Sequence, residues 1–353
     1  MPRCSSRPGR WCAWWRSARL AGSMRRTGLA VILAVGLILE PLAAEAQTAV
    51  RVYRLGMLSP GVRPLASSPV TVTNHLPQIM RELGYVEGQN LVVEQRFAEG
   101  KLDRLPGLAR ELVQLRADVL VAPSPPAVRA ARDTTKTIPI VMLLAYSDPV
   151  ELGFVASFAR PGGNVTGVVL AAEPTMAAKR LELIKEAVPR SARIAVLTTG
   201  EASSRTQVRW VEKAAASLGV MLVVVEVRDA DYDRAFATMV AERADALFVV
   251  ASVILSTDHK RIIHLAAKHR LPTIYDFREH VESGALMAYG GSVSGFARRA
   301  AVYVDRIFKG ANPADLPVER ATTFELAINL KTAKALGLTI PQPLLLRADQ
   351  VIQ

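Results

Sequence analysis

The feature that most constrains the fold of this chain is an internal echo. Leu83-Gly84 precedes LVVEQR (91–96), a helix opening near Asp103, RADVLVA (116–122), another helix, and a proline-containing strand over 138–145. Leu218-Gly219 precedes LVVVEVR (222–228), a helix opening at Asp231, RADALFVVA (243–251), another helix, and a proline-containing strand over 272–276. Matched segments stay about 127 to 135 residues apart and keep the same order. Two similar lobes in tandem follow, not a solenoid of short repeats.

Within each lobe, β-rich runs alternate with helical periodicity, which predicts an α/β architecture with mostly parallel strands. Strands are expected over 52–58, 90–97, 119–123, 138–145, 165–170, 193–198, 221–228, 246–251 and 272–276. Asp103 is placed to cap a helix with Leu105, Leu108, Ala109 and Leu112 on one face and Pro106 in its first turn. Ala177, Leu181, Ile184 and Val188 share a face of 175–188, and Val208, Val211, Ala215 and Leu218 do so before Gly219. His259, His264 and His269 are five apart, so they rotate around a helix and read as a solvated face, not as a zinc-binding pair at i and i+4.

The chain has 353 residues and a formal charge of +12, but the charge is unevenly placed. Residues 1–46 carry seven Arg against Glu40 and Glu45, so five of the twelve net charges lie there. From Met24 the sequence runs through two arginines, an apolar stretch from Leu29 to Leu39, and Ala44-Glu45-Ala46 before Gln47. That is the order of a secretory signal peptide, with translation expected from Met24 and cleavage after Ala46. Both cysteines, Cys4 and Cys12, precede that point. The expected mature chain therefore has no disulfide, thiolate nucleophile or Cys-bound metal. No later segment approaches 18 uninterrupted apolar residues, so stable membrane insertion after cleavage is not expected.

In open parallel sheets, ligands bind beyond the carboxyl ends of the strands. Two facing lobes would join two such edges into one cleft. The candidate ligand-binding residues are Ser59, Ser124, Ser147, Asp148 and Tyr289, with Thr198, Thr199, Ser252 and Asp276. Hydroxyls, two carboxylates and the nearby Tyr146, Tyr275 and Phe277 suit a small polar or zwitterionic organic solute with some apolar body. Taken singly, each Ser, Thr or Asp reads first as a helix cap or turn residue, and only the joint pattern points to a site.

Catalytic, cofactor and nucleic-acid patterns are missing from the sequence. The glycine-rich stretch at 290–295 has Val293 where a nucleophile elbow needs serine. Arg160-Pro161-Gly162-Gly163-Asn164 leads into a strand instead of opening a helix, so it is a turn and not a phosphate loop. No basic tract or aromatic-basic motif stands out for nucleic acid. No enzyme activity, cofactor or metal is expected.

RELGYVEGQNLVVEQRFAEGKLDRLPGLARELV (81–113), SDPVELGFVASFARPGGNVTG (147–167), KRLELIKEAVP (179–189), RLPTIYDFREHVESGALMAYGGS (270–292) and LPVERATTFELAINLKTAKALGLTIP (316–341) together resemble the ABC-transporter substrate-binding proteins of type I periplasmic-binding fold. The resemblance implies two Rossmann-like lobes with parallel sheets joined by a multi-strand hinge. Lobe 1 would comprise 47–168 with about 285–318, and lobe 2 about 169–284 with about 319–353. It also implies periplasmic capture of a small organic solute, such as an amino acid or aromatic compound, for an inner-membrane ABC permease with its ATPase. The alternative is an exported ligand-sensing module of a signalling system. The sequence departs from the family's pattern at Ser124-Pro125-Pro126, at Thr198-Thr199-Gly200-Glu201, at Asp276 where Gly is more usual, and at His75-Leu76-Pro77, which interrupts a helix.

Overall fold

A computed structural model describes residues 51–64, 71–170, 174–321 and 323–353. The expected start at Met24, the signal peptide and the cleavage site after Ala46 lie outside the described residues. Thirteen strands are formed among the described residues: β1 (Tyr53–Ser59), β2 (Leu91–Phe97), β3 (Val119–Ala122), β4 (Ile140–Ala145), β5 (Val165–Leu170), β6 (Arg193–Thr198), β7 (Met221–Glu226), β8 (Ala246–Val249), β9 (Thr273–Tyr275), β10 (Met287–Gly290), β11 (Glu319–Ala321), β12 (Glu325–Asn329) and β13 (Gln350–Ile352).

The strands make two sheets, ordered β11-β5-β4-β3-β1-β2 and β13-β12-β10-β9-β8-β6-β7. The first is parallel throughout, and the second has a single antiparallel pairing among the described residues, β10 with β12. The echo has a topological meaning: β2-β1-β3-β4-β5 and β7-β6-β8-β9-β10 repeat one order. The chemistry of the repeated RAD triplets is shared as well. Arg116 and Arg243 both adopt left-handed backbone, each with φ 56°, to leave a helix. The carboxylate that follows then ties off the neighbouring strand: Asp118 accepts from the Arg54 N–H at 2.7 Å, and Asp245 from the Ala192 and Arg193 N–H groups at 2.8 and 2.9 Å.

Helices cover both faces of each sheet, so the central strands are apolar on both sides. VLVA in β3 and ALFV in β8 are wholly buried, as expected when crossover helices pack on both faces. The chain leaves the first sheet after β5, returns through the helix Val293–Phe308, and leaves again between β11 and β12. These three crossings form the multi-strand connection. β10 belongs to the second sheet and β11 to the first. The exchange therefore occurs near residues 290 and 321, whereas the sequence placed it near 285 and 318. The crossover helix joins the first lobe's core, with Ala297, Ala300, Ala301 and Val304 packing with Leu76, Ile79 and Met80.

Three local expectations are corrected. Asp103 does not cap a helix through its side chain; it lies in a 3-10 turn, Leu102–Arg104, that runs into the helix Leu105–Gln114, whose buried face is the expected Leu105, Leu108, Ala109 and Leu112. Pro77 does not interrupt the helix Val72–Glu82. Proline has no N–H for the carbonyl four residues back, and that carbonyl, on Thr73, accepts instead from the Gln95 side chain at 3.3 Å. His259 is not solvated: it is 1% exposed and packs edge-on against His280 at 5.7 Å.

Candidate functional site

A cavity of about 80 Å³ lies where the carboxyl edges of the two sheets face each other, room for several waters or one small solute. The first lobe contributes Ser59 from the end of β1, Phe97 from the end of β2, Ser124 just beyond β3, and Thr71 at the head of the helix Val72–Glu82. Ser252, beyond β8, and Asp276, beyond β9, come from the second lobe, while Val293 and Phe296 come from the crossover helix. Both lobes thus supply hydroxyls at equivalent strand ends, as the parallel topology requires.

Four of the sequence candidates are brought together in this lining: Ser59, Ser124, Ser252 and Asp276. Ser59 is buried, and its Oγ accepts the Gly61 N–H at 3.3 Å. Ser124 is a true N-cap, its Oγ accepting from Ala127 N–H at 3.3 Å. Among the described residues, neither the buried Oγ of Ser252 nor the Oγ1 of Thr71 has a hydrogen-bond partner.

Asp276 is the electrostatic centre. It is 2% exposed, and its Oδ2 has no hydrogen-bond partner among the described residues. Burial pushes its pKa up to about 6, against a lowering influence from the Arg180 guanidinium. The Nδ1 of His280 lies 3.9 Å from Oδ1, but this is not an ion pair, because burial lowers the His280 pKa to about 3 and Nδ1 faces the Phe277 carbonyl at 3.1 Å. Gly290 holds the Asp276 backbone in place: a Cβ at Gly290 would sit 1.9 Å from the Asp276 carbonyl oxygen, so no other residue fits there without moving β9 or β10.

The other five candidates sit at the same edges but outside the lining. Asp148 Oδ1 accepts from the Val150 and Glu151 N–H groups at 2.7 and 3.2 Å, the local capping alternative. Ser147 donates to the Ala145 carbonyl at 3.4 Å. Thr199 Oγ1 pairs with Ser204 Oγ at 3.1 Å. Thr198 is buried with its hydroxyl unpartnered among the described residues, and Tyr289 is half-buried with its ring 6.5 Å from that of Phe324. Conversely, the cavity includes Thr71, Phe97 and Phe296, which the sequence reading did not place in the site, and Glu201, which it named only within a loop that departs from the family's pattern. Phe97 ends β2 and would have followed from applying the strand-edge rule to that strand too. Glu201, at the head of the helix Ala202–Leu218, has its pKa raised by burial.

Two α/β lobes, three chain crossings and a polar cavity between facing strand ends define a two-lobed ligand-binding protein. The profile of the family described as ABC transporter substrate binding protein matches residues 72–352, and the chain belongs to that family. It is 28% identical over 261 residues to a tyrosine-binding protein of Clostridioides difficile, covering 73% of this chain and 74% of that one. Among solved structures it is similar to a conserved domain protein of Vibrio cholerae, at TM-score 0.74 and 29% identity, covering 85% of this chain and all of that one. It is also similar to an ABC domain from Streptococcus pneumoniae in complex with L-Trp, at TM-score 0.73 and 25% identity, again covering 85% of this chain and all of the other. The fold is of the type I periplasmic-binding-protein kind, and the family, with the tyrosine-binding and L-Trp-bound relatives, is one of solute-binding proteins, not enzymes. Among the described residues no helix is long and apolar enough to cross a membrane.

Proposed function

We propose that the protein is the periplasmic solute receptor of an ABC importer, exported by the signal ahead of Gln47, and that it delivers a small organic solute to an inner-membrane permease with its ATPase. The observation that carries this reading is the cavity itself, bordered by strand ends of both lobes and lined by buried oxygens that have no partner among the described residues, Thr71 from one lobe and Ser252 and Asp276 from the other. Buried polar groups are normally hydrogen-bonded, so a ligand or water is the natural partner. Ser59, Ser124, Ser252 and Asp276 are the proposed contacts. The relatives named for tyrosine and crystallised with L-Trp support a solute of that size.

Native mass spectrometry of the exported protein tests the reading, followed by thermal unfolding against amino acids, amines, sugars and organic acids. A stoichiometric retained solute is expected, and at one hundred times its Kd it should add about 2.7 kcal/mol of stability. A protein that retains nothing and responds to no compound would overturn the proposal. Delivery is tested separately, by stimulation of permease ATPase activity in vesicles by the loaded protein.

A further inference from the structure

The cavity has a larger neighbour. A groove of about 610 Å³ adjoins it, and Pro125, Glu201 and Ser203 line both spaces. The first lobe builds most of the groove from the helices Leu105–Gln114 and Pro125–Thr134, and the second lobe borders it with Glu201, Ala202 and Ser203. The cavity itself is only about 80 Å³, so a solute longer than that space has the groove to extend into.

The chemistry changes from one space to the other. The cavity's lining includes no Lys, Arg or His, whereas the groove's includes two guanidiniums, Arg110 and Arg129. Neither has an ion pair among the described residues, although Arg54, Arg96, Arg104 and Arg132 of the same lobe each hold a carboxylate. The Phe154 ring, 5.6 Å from the Arg129 guanidinium, orients that group without neutralising it. Of the groove's two carboxylates, Asp133 is paired with Arg132 at 3.4 Å. Glu201 stands at the wall shared with the cavity, where burial raises its pKa.

A guanidinium is permanently charged, and its planar fork of N–H donors matches the oxygens of a carboxylate or phosphate. Two of them in one concave space, without ion pairs in a lobe whose other arginines are paired, leave room for an anion that the chain does not supply. The helix Ala202–Leu218 opens on the same groove with no side-chain cap, which adds first-turn N–H groups from the second lobe. An anion held there bears on both lobes and so favours the closed arrangement together with the rest of the solute.

We infer that the solute is longer than the cavity and carries a distal phosphate or carboxylate, which passes the shared wall and sits against Arg110 and Arg129 in the groove. This anion is additional to any charged group that the cavity itself receives. The inference rests on the solute-receptor reading and adds a second subsite to it.

Calorimetric titration of the exported protein at low ionic strength tests it with pairs that differ in a distal anion: tyrosine against O-phosphotyrosine, phenylalanine against 4-carboxyphenylalanine, and phenol against phenyl phosphate. In at least one pair the anionic member should bind tenfold or more tightly. Arg110→Gln combined with Arg129→Gln should erase that gain and keep the affinity of the parent compound within twofold, since both side chains are exposed and neither lines the cavity. A panel in which no distal anion adds affinity, or a gain that survives the double variant, overturns the inference. So does inorganic phosphate that binds as tightly as the phosphorylated compound, the mark of an independent anion site. In each of these cases a parent compound that stabilises the protein leaves the receptor reading standing, whereas a protein silent to every class removes both.

Discussion

The guanidinium carbon of Arg180 lies 4.7 Å from the ring centroid of Tyr146, which joins residues on opposite sides of the first chain crossing. The ring of Phe248, in β8, faces the same guanidinium at 4.7 Å. Arg180 is fully buried, and none of its three guanidinium nitrogens has a hydrogen-bond partner among the described residues. Two aromatic faces and the nearby Asp276 carboxylate are what offset the cost of burying that charge; a desolvated cation–π contact contributes about 2 kcal/mol.

This arrangement depends on a flat cation. Lysine keeps the charge but cannot lie between two rings in the same way. Arg180→Lys is expected to lower the unfolding free energy by about 2 kcal/mol, read from urea denaturation. A midpoint equal to that of the parent protein would show that charge alone matters at this position.

A second contact spans the cleft. A Cβ added to Gly61, beyond β1, would lie 2.5 Å from Thr257 Oγ1 in the second lobe, and that hydroxyl is held by the Val253 carbonyl at 2.7 Å. Gly61→Ala should therefore hinder the closed arrangement while leaving each lobe's core untouched. Solute affinity is expected to fall about tenfold, roughly 1.4 kcal/mol, with the unfolding free energy unchanged. Adding Thr257→Ala removes the obstructing hydroxyl and should restore affinity, the coupling that a double-mutant cycle isolates. Equal losses in the single and double variants would refute the cross-cleft contact.

Acid stability is set by two opposing groups. His280 is buried with its ring stacked 4.4 Å from Tyr275, and burial, aided by His259, brings its pKa down to about 3. The unfolded chain takes a proton there near pH 6.5. Between those values the unfolded state holds the extra proton, so stability falls as pH drops, by about 1.4 kcal/mol per pH unit. Asp276 acts in the opposite sense: its pKa is raised to about 6, so the folded state holds the extra proton from about pH 6 down to its unfolded value near 3.9. The histidine window opens at higher pH and is wider, and His259 is lowered too. Unfolding free energy is expected to decline from pH 7 to pH 4, and His280→Gln should make that decline shallower. An unaltered slope in His280→Gln would assign the acid sensitivity elsewhere.

The sequence made the sheets legible because β3, β4 and β8 are short apolar runs between turn residues, and because the RAD triplets repeat a chemical device and not only a periodicity. β11 and β13 were not legible: each is three residues long and none of those residues is fully buried. β10 was assigned to the wrong lobe because a crossing leaves no mark in composition. At the site, the strand-edge rule located nine residues but could not tell which way each side chain points, since successive side chains on an extended chain alternate in direction. Ser59 and Asp276 turn toward the cavity, whereas Ser147 and Asp148 fold back on their own loop. Phe97 was passed over because an apolar residue ending a strand looks like core.

Asp148 separates a solute contact from a cap most directly. Its Oδ1 holds two consecutive N–H groups, Val150 and Glu151, immediately after Pro149, and it is not among the residues lining the cavity. Asparagine caps nearly as well as aspartate, whereas alanine cannot accept those bonds. Asp148→Asn is thus expected to keep solute affinity within twofold and to leave the unfolding midpoint almost unmoved. Asp148→Ala should cost about 1 kcal/mol of stability, again with affinity retained. Calorimetry and urea denaturation on the same two proteins decide the matter. If Asp148→Asn lost tenfold or more in affinity with no change in stability, the carboxylate's charge would belong to the ligand site, and the closed loop that now satisfies it would have to open when solute binds.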